Sequence, residues 1–256
     1  MSTIPIRVIS LASRTDRRRQ VAEQFARLGV AGYSFLDAVN GKEQPGHPLF
    51  AHYDPAARAR RKGRGRDLKP SQLGCFASHY LLWQECAASG RPMVVVEDDA
   101  LLQDNFPDLL IRASQLAERW PLIWLHGYDR SGRDPVMAVG RMGPFTLVRK
   151  LKRHSCTVAY LLSPAGAEAL LAHCGSWVYP VDDTMIRFYE HGVESILLQP
   201  PCVAQDHDSP SDIRGAENRP MPWPDKIRRE FYKACDEIRR VWHNLRFRLR
   251  FRRPVS

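Results

Sequence analysis

Four apolar residues, Met93-Val94-Val95-Val96, run without a break into three acids, Glu97-Asp98-Asp99. A Val-rich run of this length reads as a strand buried on both faces. Adjacent carboxylates repel one another and are costly to desolvate, so their place at the end of a buried strand suggests a compensating cation. Hard oxygen ligands suit Mg²⁺ or Mn²⁺, ions that commonly bridge one or two carboxylates to substrate phosphates. Strand alternation puts Glu97 and Asp99 on one face and Asp98 on the other, an acid-x-acid arrangement able to hold a nucleotide diphosphate through a metal. The competing reading is an acidic turn with no ligand.

Around this run, strand and helix patterns alternate. Residues 4–12 read as a first strand, followed by a helix capped by Ser13 or Thr15, with Val21, Phe25 and Leu28 on one stripe and Gly29 as its stop. Residues 33–36 alternate as a second strand that ends in a turn at Asn40-Gly41. Pro70 opens a helix reaching Ala88 and Gly90, and a further helix begins at Asn105 or Pro107 and runs to Trp120. Strands are expected at 122–125, 145–148, 156–162 and, last, 195–198, with helices at 164–173 and 181–190. Residues 42–69 lack periodicity and read as a mobile basic surface loop; 205–225 read as loop. The alternation predicts an α/β class with a mainly parallel sheet, and ligands in such sheets sit beyond the carboxyl ends of strands, where Glu97–Asp99 lies. No glycine-rich dinucleotide or P-loop fingerprint occurs.

At 256 residues, 44% hydrophobic and 26% charged, the composition is that of a soluble globular protein, and no apolar run is long enough to span a bilayer. Six scattered cysteines without a C-x-x-C pair suit a reducing cytoplasm, and the first residues do not read as a signal peptide. The net charge of +10 is concentrated: residues 226–253 carry +8 and residues 58–69 carry +6, leaving the remainder at −4. The expected organisation is a globular unit over 1–225, with the basic loop at 42–69, and a basic tail over 226–256.

Several segments together, Val8–Arg17, Asp37-Ala-Val-Asn-Gly41, Leu73-Gly-Cys-Phe-Ala-Ser-His79, Val96–Asp99, Thr157–Tyr160 with Gly166-Ala167, and Tyr179-Pro-Val-Asp182, fall in the order of glycosyltransferase family 25. The chain resembles that family, which includes lipopolysaccharide and lipooligosaccharide glycosyltransferases and relatives of collagen galactosyltransferases, over roughly residues 5–205. Ser10 and Gln72 depart from the family pattern, which usually has Asn and an acid there. The resemblance implies a GT-A fold, a UDP-sugar donor, usually UDP-galactose, a divalent metal, and inversion at the anomeric carbon.

An inverting transfer needs a Lewis acid for the leaving diphosphate, a base for the acceptor hydroxyl, and positioning of both partners. Asp99 is the first metal candidate, with Asp98 or Glu97 binding metal, ribose or sugar hydroxyls. In Gln205-Asp206-His207-Asp208, His207 is a candidate second ligand, and an imidazole among oxygens favours Mn²⁺ over Mg²⁺; a solvated loop histidine is the alternative. The family pattern places its acid at Asp182, the candidate general base, with Asp183 as fallback; helix capping explains either equally well. Ser13, Arg14 and Arg17 are candidates for the nucleotide, since arginine stacks on uracil or pairs with phosphate. Arg18 and Arg19 are expected on an exposed helix face. Asn40 and Gly41 are donor-site or merely turn residues, and Ser78 and His79 belong to the family's Ser-His pair, with buried packing as the alternative.

In the tail, Ile227, Phe231, Cys235, Ile238, Trp242, Leu245 and Leu249 form one helical stripe, and seven arginines follow from Arg239 to Arg253 without an acid. This suits an interfacial helix on an anionic membrane. A helix packed on the body, or a period-two extended end over 245–252, are the alternatives. The expected activity is a cytoplasmic, metal-dependent glycosyltransferase, peripheral on the inner membrane, that moves a sugar from a UDP-sugar to a glycan or lipid-linked glycan acceptor. The competing classes are a basic nucleic-acid-binding protein, disfavoured by the scarcity of stacking aromatics in the basic segments, and a family-25-like fold that binds without transferring.

Overall fold

The computed structural model describes residues 4–127, 136–152, 157–206 and 222–251. In chain order these form β1 (Ile6–Ser10), α1 (Thr15–Arg27), β2 (Tyr33–Asp37), a 3₁₀ turn (Pro48–His52), α2 (Pro55–Lys62), α3 (Pro70–Ser89), β3 (Met93–Glu97) and β4 (Ala100–Leu102). There follow α4 (Phe106–Arg119), β5 (Leu122–Trp124), β6 (Val136–Met142), β7 (Phe145–Lys150), β8 (Ala159–Leu162) and α5 (Pro164–His173). The last elements are α6 (Val181–Met185), α7 (Phe188–His191), β9 (Ser195–Gln199), β10 (Val203–Gln205) and α8 (Trp223–Phe251). Eight strands make one mixed sheet in the order β2-β1-β3-β8-β5-β9-β7-β6, in which only β7 and β8 run against the common direction. A separate antiparallel ribbon joins β4 to β10.

The β3 valines explain the layering. Alternate residues of a pleated strand face opposite sides, so Val94 and Val96 meet Val21, Phe25, Phe106 and Leu109 of α1 and α4, while Met93 and Val95 meet Phe76, Trp83 and Leu170 of α3 and α5. Each such buried side chain contributes about 1.5–3 kcal/mol relative to exposure. A strand covered on both faces must be apolar at every position, which is why the run ends where the sheet opens to the cavity.

Several local expectations are corrected. Arg14, not Ser13 or Thr15, occupies the cap of α1, and no side chain bonds there. The 42–69 segment is not a featureless loop: Asp54 caps α2 by accepting from the Ala57 amide at 2.8 Å, with Pro55 pre-set in the first turn. The predicted 181–190 helix is two short helices broken at Ile186–Arg187. β9 is not the last strand, and β4, β6 and β10 were not anticipated. The helix α8 continues to Phe251, so the period-two pattern does not make an extended end. Asn40-Gly41 serves close packing: a Cβ at Gly41 would lie 1.8 Å from the Pro70 carbonyl oxygen, and one at Gly74 would lie 2.3 Å from that of Val39. The 38–41 segment thereby lies directly on the first turns of α3.

Candidate active site

β1 and β3 are parallel neighbours, so their carboxyl ends open side by side. Between them, the 38–43 segment and the start of α3 enclose a cavity of about 450 Å³. Glu97, Asp98 and Asp99 all line it. The expected alternation fails because β3 ends at Glu97 and the next two residues turn, bringing Asp98 to the same side as its neighbours.

The three carboxylates stand in different surroundings. Asp98 is fully engaged: Arg17 donates to its Oδ1 at 2.9 Å and the Ser10 hydroxyl donates to its Oδ2 at 2.7 Å. Glu97 Oε1 accepts from the Thr157 hydroxyl and lies 3.0 Å from His79 Nε2. Behind it, Trp83 Nε1 donates to the Tyr160 hydroxyl, which lies 2.9 Å from His79 Nδ1. The Tyr160 proton on Nδ1 leaves Nε2 as the donor to Glu97. Burial pushes the Glu97 carboxyl up, but His79 and Thr157 outweigh it and hold the group below the usual range. Asp99 differs: burial and then the Glu97 charge push it up to about 6. Gln205 Nε2 donates to its Oδ2 at 3.3 Å, while its buried Oδ1 has no protein partner among the described residues. A buried acceptor without a donor is costly, and a divalent cation satisfies such an oxygen directly. The donor set therefore fits a Mg²⁺ or Mn²⁺ ion at Asp99.

Gln205 and Asp206 also line the cavity. The ribbon carries them there, since Gln205 pairs with Ala100 and the Asp206 amide donates to the Asp99 carbonyl at 3.0 Å. Gln24 of α1 clamps the same ribbon, accepting from the Leu102 amide at 2.7 Å and donating to the Ala100 carbonyl at 3.0 Å. Gln205 and Asp206 thus reach the acids, while His207, the candidate second ligand, lies outside the described residues. Gln205 and Asp206, not singled out from the sequence, carry the observed contacts.

Ser13, Arg14, Arg17, Asn40, Gly41, Ser78 and His79 line the cavity too. Arg14 also grips Asp16, at 3.0 and 2.9 Å, and holds that carboxyl down to about 2. Arg18 is not a free surface residue: it is half-buried, donating to the Ser10 carbonyl at 2.8 Å and to Asp37 at 2.5 Å. Arg19 is exposed as expected. Ser78 is buried and structural, accepting from the Val39 amide at 2.9 Å and donating to the Gly74 carbonyl at 2.8 Å. His79 is both packed and functional in placement, being wholly buried while orienting Glu97.

Asp182 and Asp183 are not among the cavity-lining residues. They open α6, which packs against α3, and Asp182 is close enough for its charge to act on Cys75 in the cavity wall. Burial, then the Asp183 charge, raises the Asp182 carboxyl above its ordinary value. Asp183 instead pairs with Lys62 at 3.5 Å.

Comparison with known proteins agrees with this geometry. The family model described as glycosyltransferase family 25 (LPS biosynthesis protein) matches residues 3–185. The chain is 34% identical over 199 residues to the human inactive glycosyltransferase 25 family member 3, covering 72% of this chain and 31% of that protein. It is 28% identical over 209 residues to the zebrafish procollagen galactosyltransferase 1, covering 76% and 33%. It is 33% identical over 114 residues to the lacto-N-neotetraose biosynthesis glycosyltransferase LgtB of Neisseria meningitidis serogroup B, covering 44% and 39%. Between about a third and two fifths of each of these relatives is matched. The family match runs from the first strand through the acid cluster to Asp182 and includes the cavity walls formed by β1, α3 and β3, and the chain belongs to glycosyltransferase family 25.

Proposed function

We propose that this chain transfers a hexosyl group, galactose first among candidates, from a UDP-sugar to a hydroxyl of a glycan or lipid-linked glycan, with inversion and with a divalent cation. The observation that carries the reading is the buried Asp99 Oδ1, without a protein partner among the described residues, in the wall of a cavity large enough for a nucleotide. Galactose is supported by the printed name of the zebrafish relative, and a surface-glycan acceptor by the family description and the neisserial one. The fold is read as GT-A on the same footing.

In this mechanism Asp99, with the Gln205–Asp206 segment beside it, would hold Mn²⁺ or Mg²⁺, which when bound would supply charge stabilisation for a leaving diphosphate. Asp98 stays fixed by Arg17 and Ser10 and keeps the turn in shape. Glu97, held ionised by His79 and Thr157, accepts hydrogen bonds from donor hydroxyls. Arg14, in the cavity wall, pairs with phosphate or stacks on uracil, and Arg17 offers phosphate the N–H groups that its contact with Asp98 leaves over. Asp182 takes the acceptor proton; its raised carboxyl is better matched to that work near neutral pH than an ordinary aspartate.

The second reading, a fold that binds donor without transferring, is favoured by the printed name of the human relative. A nucleic-acid role is disfavoured by the engagement of the 58–66 basic residues. Arg58 donates to the Arg66 and Val178 carbonyls, Arg61 reaches Asp236, and Lys62 reaches Asp183. No described helix is long and apolar enough to cross a membrane; a cytoplasmic, membrane-peripheral location is part of the proposal.

The test is UDP release across a panel of UDP-sugars, with Mn²⁺, Mg²⁺ or chelator, alongside equilibrium binding of the same donors. Release from one UDP-sugar that vanishes in chelator and returns with Mn²⁺ is the expected result. Metal-dependent binding without release supports the non-transferring reading, and full turnover in chelator overturns the metal's role.

A further inference from the structure

We propose that the outward face of α8 docks on an anionic lipid surface. A surface helix ordinarily turns its apolar stripe to the core and its charges to water. α8 does the reverse. The side that meets the body is polar: Asp236 pairs with Arg187 at 2.7 Å, Asn244 Oδ1 accepts from Arg149 at 2.7 Å, and His243 lies 2.5 Å from Glu194. Arg240 reaches back to the Leu151 carbonyl, and Phe247 is the one large apolar residue of the helix that is buried. The apolar stripe is left outside, with Trp223 72%, Phe231 63% and Trp242 59% exposed and Ile227, Ile238 and Leu249 similarly open. At 1.5 Å per residue, this stripe runs along a helix about 43 Å long. It is a contiguous apolar surface of the kind that marks an interaction site.

Charge identifies the occupant. At 100° per residue, Arg246 and Arg250 fall along one border of the stripe, in line with Arg228 and Arg239, which also pair with Asp225 and Glu190. The helix's acids are already ion-paired: Asp225 with Arg228, Glu230 with Arg229 and Lys233, Asp236 with Arg187, and Glu237 with Arg240. A second copy laid on the stripe would meet the arginine border with no free acid to offer. Lipid phosphates supply that charge while acyl chains take the apolar row. Tryptophan suits the headgroup boundary, and arginine stems lie along apolar surface with the guanidinium held at the phosphates. The helix would lie in the plane of the interface, and the docking needs no donor, metal or turnover, so it stands or falls separately from the proposed reaction.

The experiment uses the full chain and two vesicle types, equimolar phosphatidylglycerol–phosphatidylcholine and phosphatidylcholine alone, in sedimentation binding. The intact protein should bind the anionic vesicles at least about tenfold more tightly. Each arginine near an anionic surface is worth about 1 kcal/mol, so R246Q/R248Q/R250Q should lose roughly a hundredfold on anionic vesicles. F231S/W242S should lose binding to both vesicle types, including the portion that survives high salt. Both variants alter exposed side chains, so thermal unfolding should stay within a few degrees of the parent, which separates lost docking from lost fold. Equal vesicle binding by parent and F231S/W242S, or none by the parent, overturns the proposal. A dimer in light scattering that F231S/W242S dissolves, with no vesicle binding, assigns the face to a second copy instead.

Discussion

Two regions of this molecule bury charge, and they treat it oppositely. Beneath α8, Arg187 is 2% exposed and pairs with Glu190 at 2.6 Å and Asp236 at 2.7 Å, and Arg149 pairs with Glu194 at 2.7 Å while stacking over Phe188 and Phe247, although its buried Nη2 has no hydrogen-bond partner among the described residues. At the end of β3, Asp98 is paired, Glu97 is held by Thr157 and His79, and Asp99 keeps one buried oxygen without a donor among the described residues. A buried charge set against opposite charges, as Arg187 and Arg149 are, holds elements together, whereas a buried carboxylate beside like charges costs stability unless a ligand completes it. The first region reads as structure and the second as a site.

The largest expected effect tests the incomplete side. Asp99→Asn keeps the shape of the side chain but removes its charge. UDP-sugar turnover should fall by about 10³-fold or more, since several kcal/mol of leaving-group stabilisation depend on the ion held there. In chelator the same variant should be more stable than the parent. Asp99 is raised from 3.8 to about 6 in the fold, so the penalty for ionising it is absent below pH 4, grows between pH 4 and 6, and is complete above 6. Urea unfolding at pH 8 should show the variant ahead by about 3 kcal/mol, and the gap should close below pH 4. A variant less stable than the parent at pH 8 would make Asp99 a structural carboxylate like Asp98.

On the paired side, Arg187→Met fills similar volume but takes from Glu190 and Asp236 their nearest cation, leaving Arg239, His173 and Arg61 at 3.6, 3.8 and 3.9 Å from Glu190 and Arg61 at 3.4 Å from Asp236. Breaking a buried pair by removing one member costs about 3–5 kcal/mol, so the urea midpoint should drop sharply. The UDP-sugar dissociation constant, measured below the unfolding transition, should stay unchanged. Truncation at residue 225 takes Asp236 from Arg187 and Asn244 and Phe247 from Arg149, exposing two buried arginines, so it should destabilise the body rather than merely release a tail.

The same contrast explains what the sequence made legible. The β3 run was readable because a strand covered on both faces is apolar at every position, and α3 because Pro70 and Gly90, with φ +62°, mark its ends. The acid cluster was readable as a candidate site, and the structure puts its three acids in one cavity wall, but the different surroundings of each acid were not readable. Asp98 is neutralised by Arg17, 81 residues away, through the parallel β1–β3 pairing. Gln205 reaches Asp99 only through a three-residue ribbon too short to show a period. β6 escaped notice because its register shifts between Ala138 and Gly140. The α8 stripe was visible, but which side meets the body depends on Arg149 and Arg187, buried on other elements, and nothing in the helix's own pattern records them.

The smallest expected effect divides the neighbouring acids of α6. Asp183 and Lys62 are 35% and 33% exposed and 3.5 Å apart; a pair that open to water contributes well under 1 kcal/mol. Asp183→Asn should therefore change the urea midpoint little and leave sugar transfer within about threefold of the parent. Asp182→Asn, by contrast, removes the carboxylate that burial and Asp183 have raised. Transfer should fall on the order of 10²–10⁴-fold while UDP-sugar affinity persists, the signature of a lost base rather than a lost ligand. Because Asp183 helps raise Asp182, its loss should also lower the acid limb of the transfer-rate profile, shifting activity toward lower pH. Near-normal transfer by Asp182→Asn together with a collapse in Asp183→Asn would move the base to Asp183, and Lys62 would then be the group that tunes it.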